Sequence, residues 1–556
     1  MLKPKLSVLL LLLFCAMNSV AQQTKTPIGG IRIAWDYHTL VKVSSNNARY
    51  SGYARLIQLA DNSLICVYEA GGVYCVKSTD MGKTWSDQIL IAPNVDHVNM
   101  AVPDILQLKD QSLLVCYNPR PSRRPIDTTK HFAIKTKKSY DGGSTWTDER
   151  TLYEADYRFE NGCWEPSAIQ LPNGDIELFF ANEGPYRQSD EQCISMVKSK
   201  DGGLSWAAAK TTSFRPHSRD GMPSPILLQN GKEMAYSIED NGFKNFKPTI
   251  IRSTLKDDWA NPVGANDVNR NFALANKVAD SLYLGAPYLR QLKTGETILS
   301  YQGTEGRINN MNHSEMKVVI GDSEARNFDR KSVPFNIAGD KSGLWNSVSV
   351  LNDNTVVALT STSSFSANHN AEVWMVKGHV MPELRAKKVD LKSKNKSEQP
   401  NSKPIFIGGN GPANLTADLN YNDKYLFVLV SVHADKQIKN NSFTIYIDPQ
   451  NKNYDTPGKG VFKINIGGMN GMSMFEGNSG QWEIRSSKGI INDNSGEGAD
   501  SYLRVIGIPW SIIGGKPTSG KRIGFNMALT DIDGHTENIS ANEADKPFTW
   551  CTLKLY

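Results

Sequence analysis

A short pattern recurs six times in this chain of 556 residues. Each copy runs from small or polar residues through apolar alternation, usually to Gln-Leu, turns at Asn, Asp or Gly, and resumes a second apolar run. The copies are Tyr53–Asn62, Ala101–Asp110, Glu165–Gly174, Met222–Gly231, Ala286–Gly295 and Leu344–Asn354. They follow one another at roughly 46 to 65 residues, an interval that specifies an array of like units. Alternation with period two marks strands with one buried face, and turn residues that tolerate positive φ join two such strands as a tight hairpin. Val, Ile, Tyr and Thr dominate the runs and helical periodicity is scarce, so the chain reads as all-β.

A second motif follows in the same units. Ser78-Thr79-Asp80-Met81-Gly82-Lys83-Thr84-Trp85 returns at Ser139–Trp146 and Ser199–Trp206, with a degraded copy at Ser253–Trp259. The form Ser-x-Asp-x-Gly-x-Thr/Ser-Trp resembles the Asp box of sialidase-type propellers. Asp bonds backbone N–H groups, Gly takes the left-handed conformation and Trp packs on the blade, so its chemistry is that of a turn rather than of a metal site. Six four-stranded units predict a six-bladed β-propeller, closed by pairing Ile31–Tyr37 with Glu372–Val380 to remove the open edge.

This strand order separates two faces. With the four strands of a blade lettered a to d from the axis outward, the tight a–b hairpins and the Asp-type c–d turns share one. The b–c loops and the connections into each inner strand share the other, where variable loops on a rigid scaffold build sites. The inner strands begin with Tyr53 and Arg55, Pro103 and Asp104, Trp164 and Glu165, Asp220 and Met222, Tyr288 and Arg290, and Trp345; the second strands end with Glu69, Asn118 and Arg120, Asn182 and Glu183, Glu239 and Asp240, Gln302, and Thr360. Together they form a polar, carboxylate- and aromatic-lined funnel suited to a sugar. Glu165 and Glu239 are expected to face each other as the catalytic pair, because glycosidic cleavage needs one carboxyl to protonate the leaving oxygen and another to attack or to activate water. Glu69, Glu183 and Asp104 stand at the same mouth as alternatives. Arg55, Asn118, Trp164, Asn182, Asp220, Tyr288, Arg290 and Trp345 are the candidate substrate-binding residues.

Asn161-Gly162-Cys163-Trp164-Glu165-Pro166, Arg219-Asp220-Gly221-Met222-Pro223 and Ser237-Ile238-Glu239 resemble glycoside hydrolase family 93, over about Ile31 to Leu384. The resemblance implies an exo-acting, retaining hydrolase of α-1,5-L-arabinofuranosyl linkages, with Glu165 as acid/base and Glu239 as nucleophile. It needs no cofactor for catalysis. Two readings compete. A sialidase requires three arginines clamping a carboxylate, roles open to Arg55, Arg219 and Arg290, but the Arg-Ile-Pro opening of that family is absent: the chain reads Tyr53-Ala54-Arg55-Leu56. A non-catalytic glycan-binding propeller is the other.

The ends complete the organisation. Lys3 and Lys5, the apolar run Leu6–Phe14 and Ser19-Val20-Ala21 read as a signal peptide over 1–21, implying a periplasmic or secreted protein. The propeller is expected over 22–384 and a basic, polar linker over 385–404. From 405 to 556 alternation resumes as a β-sandwich. Its stretches Tyr425-Leu426-Phe427-Val428, Ile445–Pro449, Ile508-Pro509-Trp510 and Ile523-Gly524-Phe525 resemble a family 9 carbohydrate-binding module, which implies structural calcium and two tryptophan platforms. Trp482 and Trp550 are the candidate platforms and Trp510 reads as core. A net charge of +5, scattered along the chain, excludes a nucleic-acid partner. No later stretch is apolar enough to span a membrane, and a monomer acting on an oligo- or polysaccharide is expected. Most of the seven cysteines sit inside apolar runs and read as buried thiols, with a Cys66–Cys75 bridge as the alternative.

Overall fold

The computed structural model describes residues 31–556 except 46–47, 390–404, 409–411, 435–440, 453, 455, 468–470, 499 and 540–541. The expected signal peptide, with Cys15, and most of the expected linker lie outside the described residues. The six repeats each become one four-stranded antiparallel sheet whose strands follow in chain order. The inner strands are Gly52–Gln58, Val98–Gln107, Cys163–Gln170, Asp220–Leu227, Leu284–Gln291 and Gly343–Val350. In the sixth blade the outermost strand is the N-terminal Arg32–Lys42, antiparallel to Glu372–Met381, so the first and last segments close the ring.

The blades pack on apolar faces that alternate along each strand. Leu178, Phe180 and Ile194 of blade three meet Met234, Ile238 and Trp259 in one cluster. The three Ser-x-Asp-x-Gly turns are closed by their own side chains. Thr84 N–H and Oγ1 and Ser78 Oγ all donate to Asp80, and Asp141 and Asp201 repeat the pattern. These bonds hold the Asp80 and Asp141 carboxyls well below the usual carboxylate range. Gly143 sits at φ 92°; a Cβ there would lie 2.8 Å from Ile65 of the preceding blade.

The second domain is one curled sheet whose two halves enclose a single core, Leu415, Val428 and Ile506 from one half and Ile445, Ile464 and Phe525 from the other. The strand Glu383–Lys388 joins them. It runs parallel to Cys551–Leu555 on one side and to Ala413–Tyr421 on the other. The start of the expected linker is therefore a strand of the sandwich, made regular by two backbone partners that its basic composition concealed. Ala34 and Met381 from the edge of blade six enter the same core, and the Arg32 guanidinium donates to the Trp550 carbonyl at 2.9 Å. Cys66, Cys75, Cys116, Cys163, Cys193 and Cys551 are free, buried thiols.

Candidate active site

The inner strands share one irregularity. Each ladder slips at the same point, between Gly52 and Arg55, Ala101 and Asp104, Trp164 and Ser167, Gly221 and Ser224, Gly285 and Tyr288, and Leu344 and Ser347. The residue after each slip adopts positive φ: Tyr53 49°, Val102 48°, Glu165 47°, Met222 52°, Ala286 47° and Trp345 53°. Such bulges unpair one residue and re-aim its side chain, at a backbone cost on the order of 1 kcal/mol or more for a non-glycine residue. Five of these six residues form an apolar cluster in which Tyr53 stacks on Trp345 at 4.5 Å. The sixth is Glu165. The scaffold thus presents one carboxylate in a ring whose other positions are apolar.

The residue opposite the start of each slip has its own pattern. Glu69, Glu239 and Gln302 face Gly52, Gly221 and Gly285. Each accepts the bulge N–H of the next blade: Val102 at 2.7 Å, Ala286 at 2.8 Å and Trp345 at 2.8 Å respectively. Glu239 lies between two glycines, since a Cβ on Gly221 would come 3.1 Å from its Cγ and one on Gly285 2.8 Å from its Oε2. A side chain at either position would press on the carboxyl.

The two carboxyls differ in their partners. Glu165 accepts from Arg120 Nη2 at 2.9 Å. Asn118 Oδ1 in turn accepts from Arg120 Nε at 2.7 Å, and the guanidinium lies over the Trp164 ring at 5.0 Å. Burial raises the Glu165 carboxyl and Arg120 opposes that rise. Among the described residues Glu239 bonds no cation. Burial pushes it up to about 7, the Ala286 N–H opposes this, the Glu165 charge adds to it, and the more distant Arg219 opposes. Glu239 is therefore the carboxyl of the two on which burial acts with no bonded cation among the described residues to oppose it. Arg219 is held by Glu183, whose other oxygen accepts the Gly162 N–H at 3.1 Å.

The Glu239 shift makes folding depend on pH. Its folded value of about 7 exceeds the ordinary value of 4.5, so the folded state binds the extra proton between these pH values. This stabilisation is complete below about pH 4.5 and is lost as pH rises through about 7, on the order of 2–3 kcal/mol. Glu239→Gln is expected to flatten that part of the profile. Urea unfolding of both proteins at pH 5 and pH 8 measures the difference.

The remaining candidates fall in three places. Arg55, Tyr288 and Arg290 form a layer in the central channel: the Tyr288 ring lies 4.5 Å from the Arg55 guanidinium and 4.3 Å from that of Arg290. The Tyr288 hydroxyl donates to Asp104 and accepts from Arg290. Stacked on one ring in this way, Arg55 and Arg290 do not form the open carboxylate clamp that a sialidase requires. Asn118 and Asn182 are buried in the framework: Asn118 donates to the Ala133 and Cys163 carbonyls and Asn182 to Ser195. Asp220, expected to bind substrate, does not reach the funnel. It forms a buried ion triad in which Arg270 bonds Asp220 at 2.6 Å and Asp240 at 2.9 Å. Trp164 and Trp345 remain at the mouth, Trp164 packed between Phe132 and Phe159. Sequence reasoning assigned no role to Arg120, Tyr53 or Gln302, although the repeat had put all three at the mouth.

Beside Arg120 and Trp164 lies a cavity of about 540 Å³ lined by His97, Asn99, Arg120, Arg123, Phe159 and Trp164 among others. In the second domain Trp550 is fully buried, its Nε1 donating to Glu543, and is core rather than a platform. Trp510 is core as expected. Trp482 stays partly exposed, its Nε1 bonded to Asp545 at 2.7 Å. Asp531, Asp533 and His535 form the one acidic cluster with metal-ligand spacing among the described residues. It does not fit the implied calcium, which takes oxygen ligands, because one member is a histidine and Asp531 Oδ1 already accepts the Asp533 and His535 N–H groups.

Residues 404–550 match a family described as carbohydrate family 9 binding domain-like. No curated protein matches the chain. Among solved structures it is similar to a protein of unknown function from Dyadobacter fermentans, at 15% identity over 64% of this chain and 100% of that one, TM-score 0.49. It is similar to the glycoside hydrolase family 93 α-L-arabinofuranosidase of Fusarium graminearum, solved with arabinobiose, at 16% identity over 63% and 98%, TM-score 0.48. A Hadza microbial sialidase matches at 11% identity over 59% and 66%, TM-score 0.42. No helix among the described residues is long and apolar enough to cross a membrane.

Proposed function

We propose that this protein is an exported, exo-acting glycoside hydrolase that cleaves α-1,5-L-arabinofuranosyl linkages of arabinan-type glycans. The observation that carries the reaction class is the placement of two carboxyls, Glu165 on the one charged bulge of the ring and Glu239 between two glycines, near enough that the Glu165 charge raises Glu239. Titratable carboxyls in unequal environments are what acid–base division of labour requires. The sugar is taken from the Trp164-Glu165-Pro166 and Ser237-Ile238-Glu239 motifs. Pro166 itself is scaffold, since Pro103, Pro223 and Pro287 follow the equivalent bulge residues.

Glu165 protonates the glycosidic oxygen as the C1–O bond breaks, and the Glu239 carboxylate bonds C1. Glu165 then takes a proton from water, whose oxygen displaces Glu239 and restores both groups. This division requires Glu165 to hold a proton when substrate binds, so the positive charge that Arg120 places beside it must then be offset. Trp164 and the Tyr53–Trp345 stack supply apolar faces for the sugar ring. Digestion of linear arabinan followed by chromatography should yield a short arabino-oligosaccharide from chain ends. Absence of new reducing ends on arabinan and on aryl arabinofuranosides alike would reject the reading.

A further inference from the structure

We propose that the cavity beside Arg120 is the leaving-group subsite and that, in preference to the neutral arabinose of plain arabinan, it takes an anionic sugar residue bearing a carboxylate or a sulfate ester. The proposal rests on the hydrolase reading for its position in the reaction: the acid/base contacts the leaving oxygen, so the space next to Glu165 on the far side of Arg120 belongs to the departing sugar. Its chemistry comes from the lining. The cavity lies on the variable-loop face, between the connection into the second inner strand and the loop after Leu113–Pro121. Arg120 and Arg123 line it, with His97 and Asn99, and none of its lining residues is acidic.

Both arginines have donors to offer. Arg120 gives Nε to Asn118 and Nη2 to Glu165, and its Nη1 donates to no protein atom among the described residues. Asn118 fixes its plane by accepting at Nε while Asn118's own amide is anchored to two carbonyls. Arg123 is exposed, stacks on Phe159 at 3.3 Å from the ring centroid, and forms no ion pair among the described residues. Two planar guanidiniums backed by aromatic rings suit a planar or tetrahedral oxyanion, and Trp164 and Phe159 suit the apolar face of the ring that carries it. A neutral leaving sugar would leave these donors to water. An anion at Arg120 also draws positive charge from Glu165, which favours the protonated form a general acid needs.

The test is calorimetric titration of the full-length Glu239→Gln protein, which binds without turning over. The ligands are a panel of arabinofuranosyl oligosaccharides whose neighbouring residue is a uronate, the same compounds with the carboxylate reduced to the alcohol, and sulfated counterparts. At least one anionic form should bind about tenfold or more tighter than its neutral form, with a gap that narrows between 0.05 and 0.5 M salt as screening predicts. Arg123→Gln should close most of that gap without lowering the melting temperature. Equal affinity of anionic and neutral forms, or an unchanged gap in Arg123→Gln, overturns the subsite. Wild-type turnover of the neutral members is measured separately. Cleavage of those with no anionic preference leaves the hydrolase reading standing, and anionic preference with no cleavage of any member does the reverse.

Discussion

Glu239→Gln is expected to lower turnover by at least about a thousandfold and to leave the fold at pH 7 as stable as the parent or more so. The first half follows from the chemistry: an amide neither attacks an anomeric carbon nor shares a proton with Glu165. The second half follows from the ring itself. Gln302 stands at the equivalent position one blade on and accepts the Trp345 N–H through its amide oxygen at 2.8 Å, so a glutamine at 239 can brace Ala286 in the same way. Alanine at 239 behaves differently. It leaves the Ala286 N–H without its acceptor, at roughly 1–3 kcal/mol. Initial rates on an arabinofuranoside, with thermal unfolding of all three proteins, separate the chemical role of Glu239 from its structural one.

Arg270→Met is expected to destabilise the propeller by about 3–5 kcal/mol, the usual result of removing one member of a buried charge cluster. Asp220 and Asp240 are both 0% exposed at the side chain and Arg270 2%. Without Arg270, Asp240 keeps Arg215 at 3.0 Å, whereas the Asp220 carboxyl keeps, among the described residues, the Ser213 hydroxyl. The uncompensated charge is therefore that of Asp220, and adding Asp220→Asn should recover much of the loss. Denaturant unfolding of the single and double variants measures this. Activity should fall in parallel, because Asp240 and Asp220 pair directly across the strands that carry Glu239 and Met222.

The same triad shows what a sequence conceals. Asp220 adjoins a strand start and so looked like a residue of the mouth. Its partner Arg270 lies 50 residues on in an outer strand, and no local pattern links the two. Trp345 meets Tyr53 only because the ring closes. The repeat, by contrast, was readable throughout: the hairpin turns and period-two alternation located all six inner strands, and the need to close the ring called for the strand expected at Ile31–Tyr37, which runs over Arg32–Lys42. The bulge was half visible, as the x-Pro step at Pro103, Pro166, Pro223 and Pro287. Its positive φ was not, because Tyr, Val, Glu, Met, Ala and Trp have no common preference for that conformation. Trp550 failed as a platform for a simpler reason: a tryptophan next to a terminal strand reads alike whether it faces solvent or core.

The account stands most directly on the division of labour between Glu165 and Glu239. The measurement is hydrolysis of an aryl α-L-arabinofuranoside with a good leaving group by Glu165→Gln and Glu239→Gln, with and without azide. An activated phenolate leaves without acid help, so Glu165→Gln should retain the glycosylation step, accelerate with azide and form the arabinosyl azide of retained configuration. Glu239→Gln should remain inactive on that substrate and form no azide of retained configuration. Near-normal rates in both variants would contradict the central claim, and formation of the retained azide by Glu239→Gln in place of Glu165→Gln would reverse the roles.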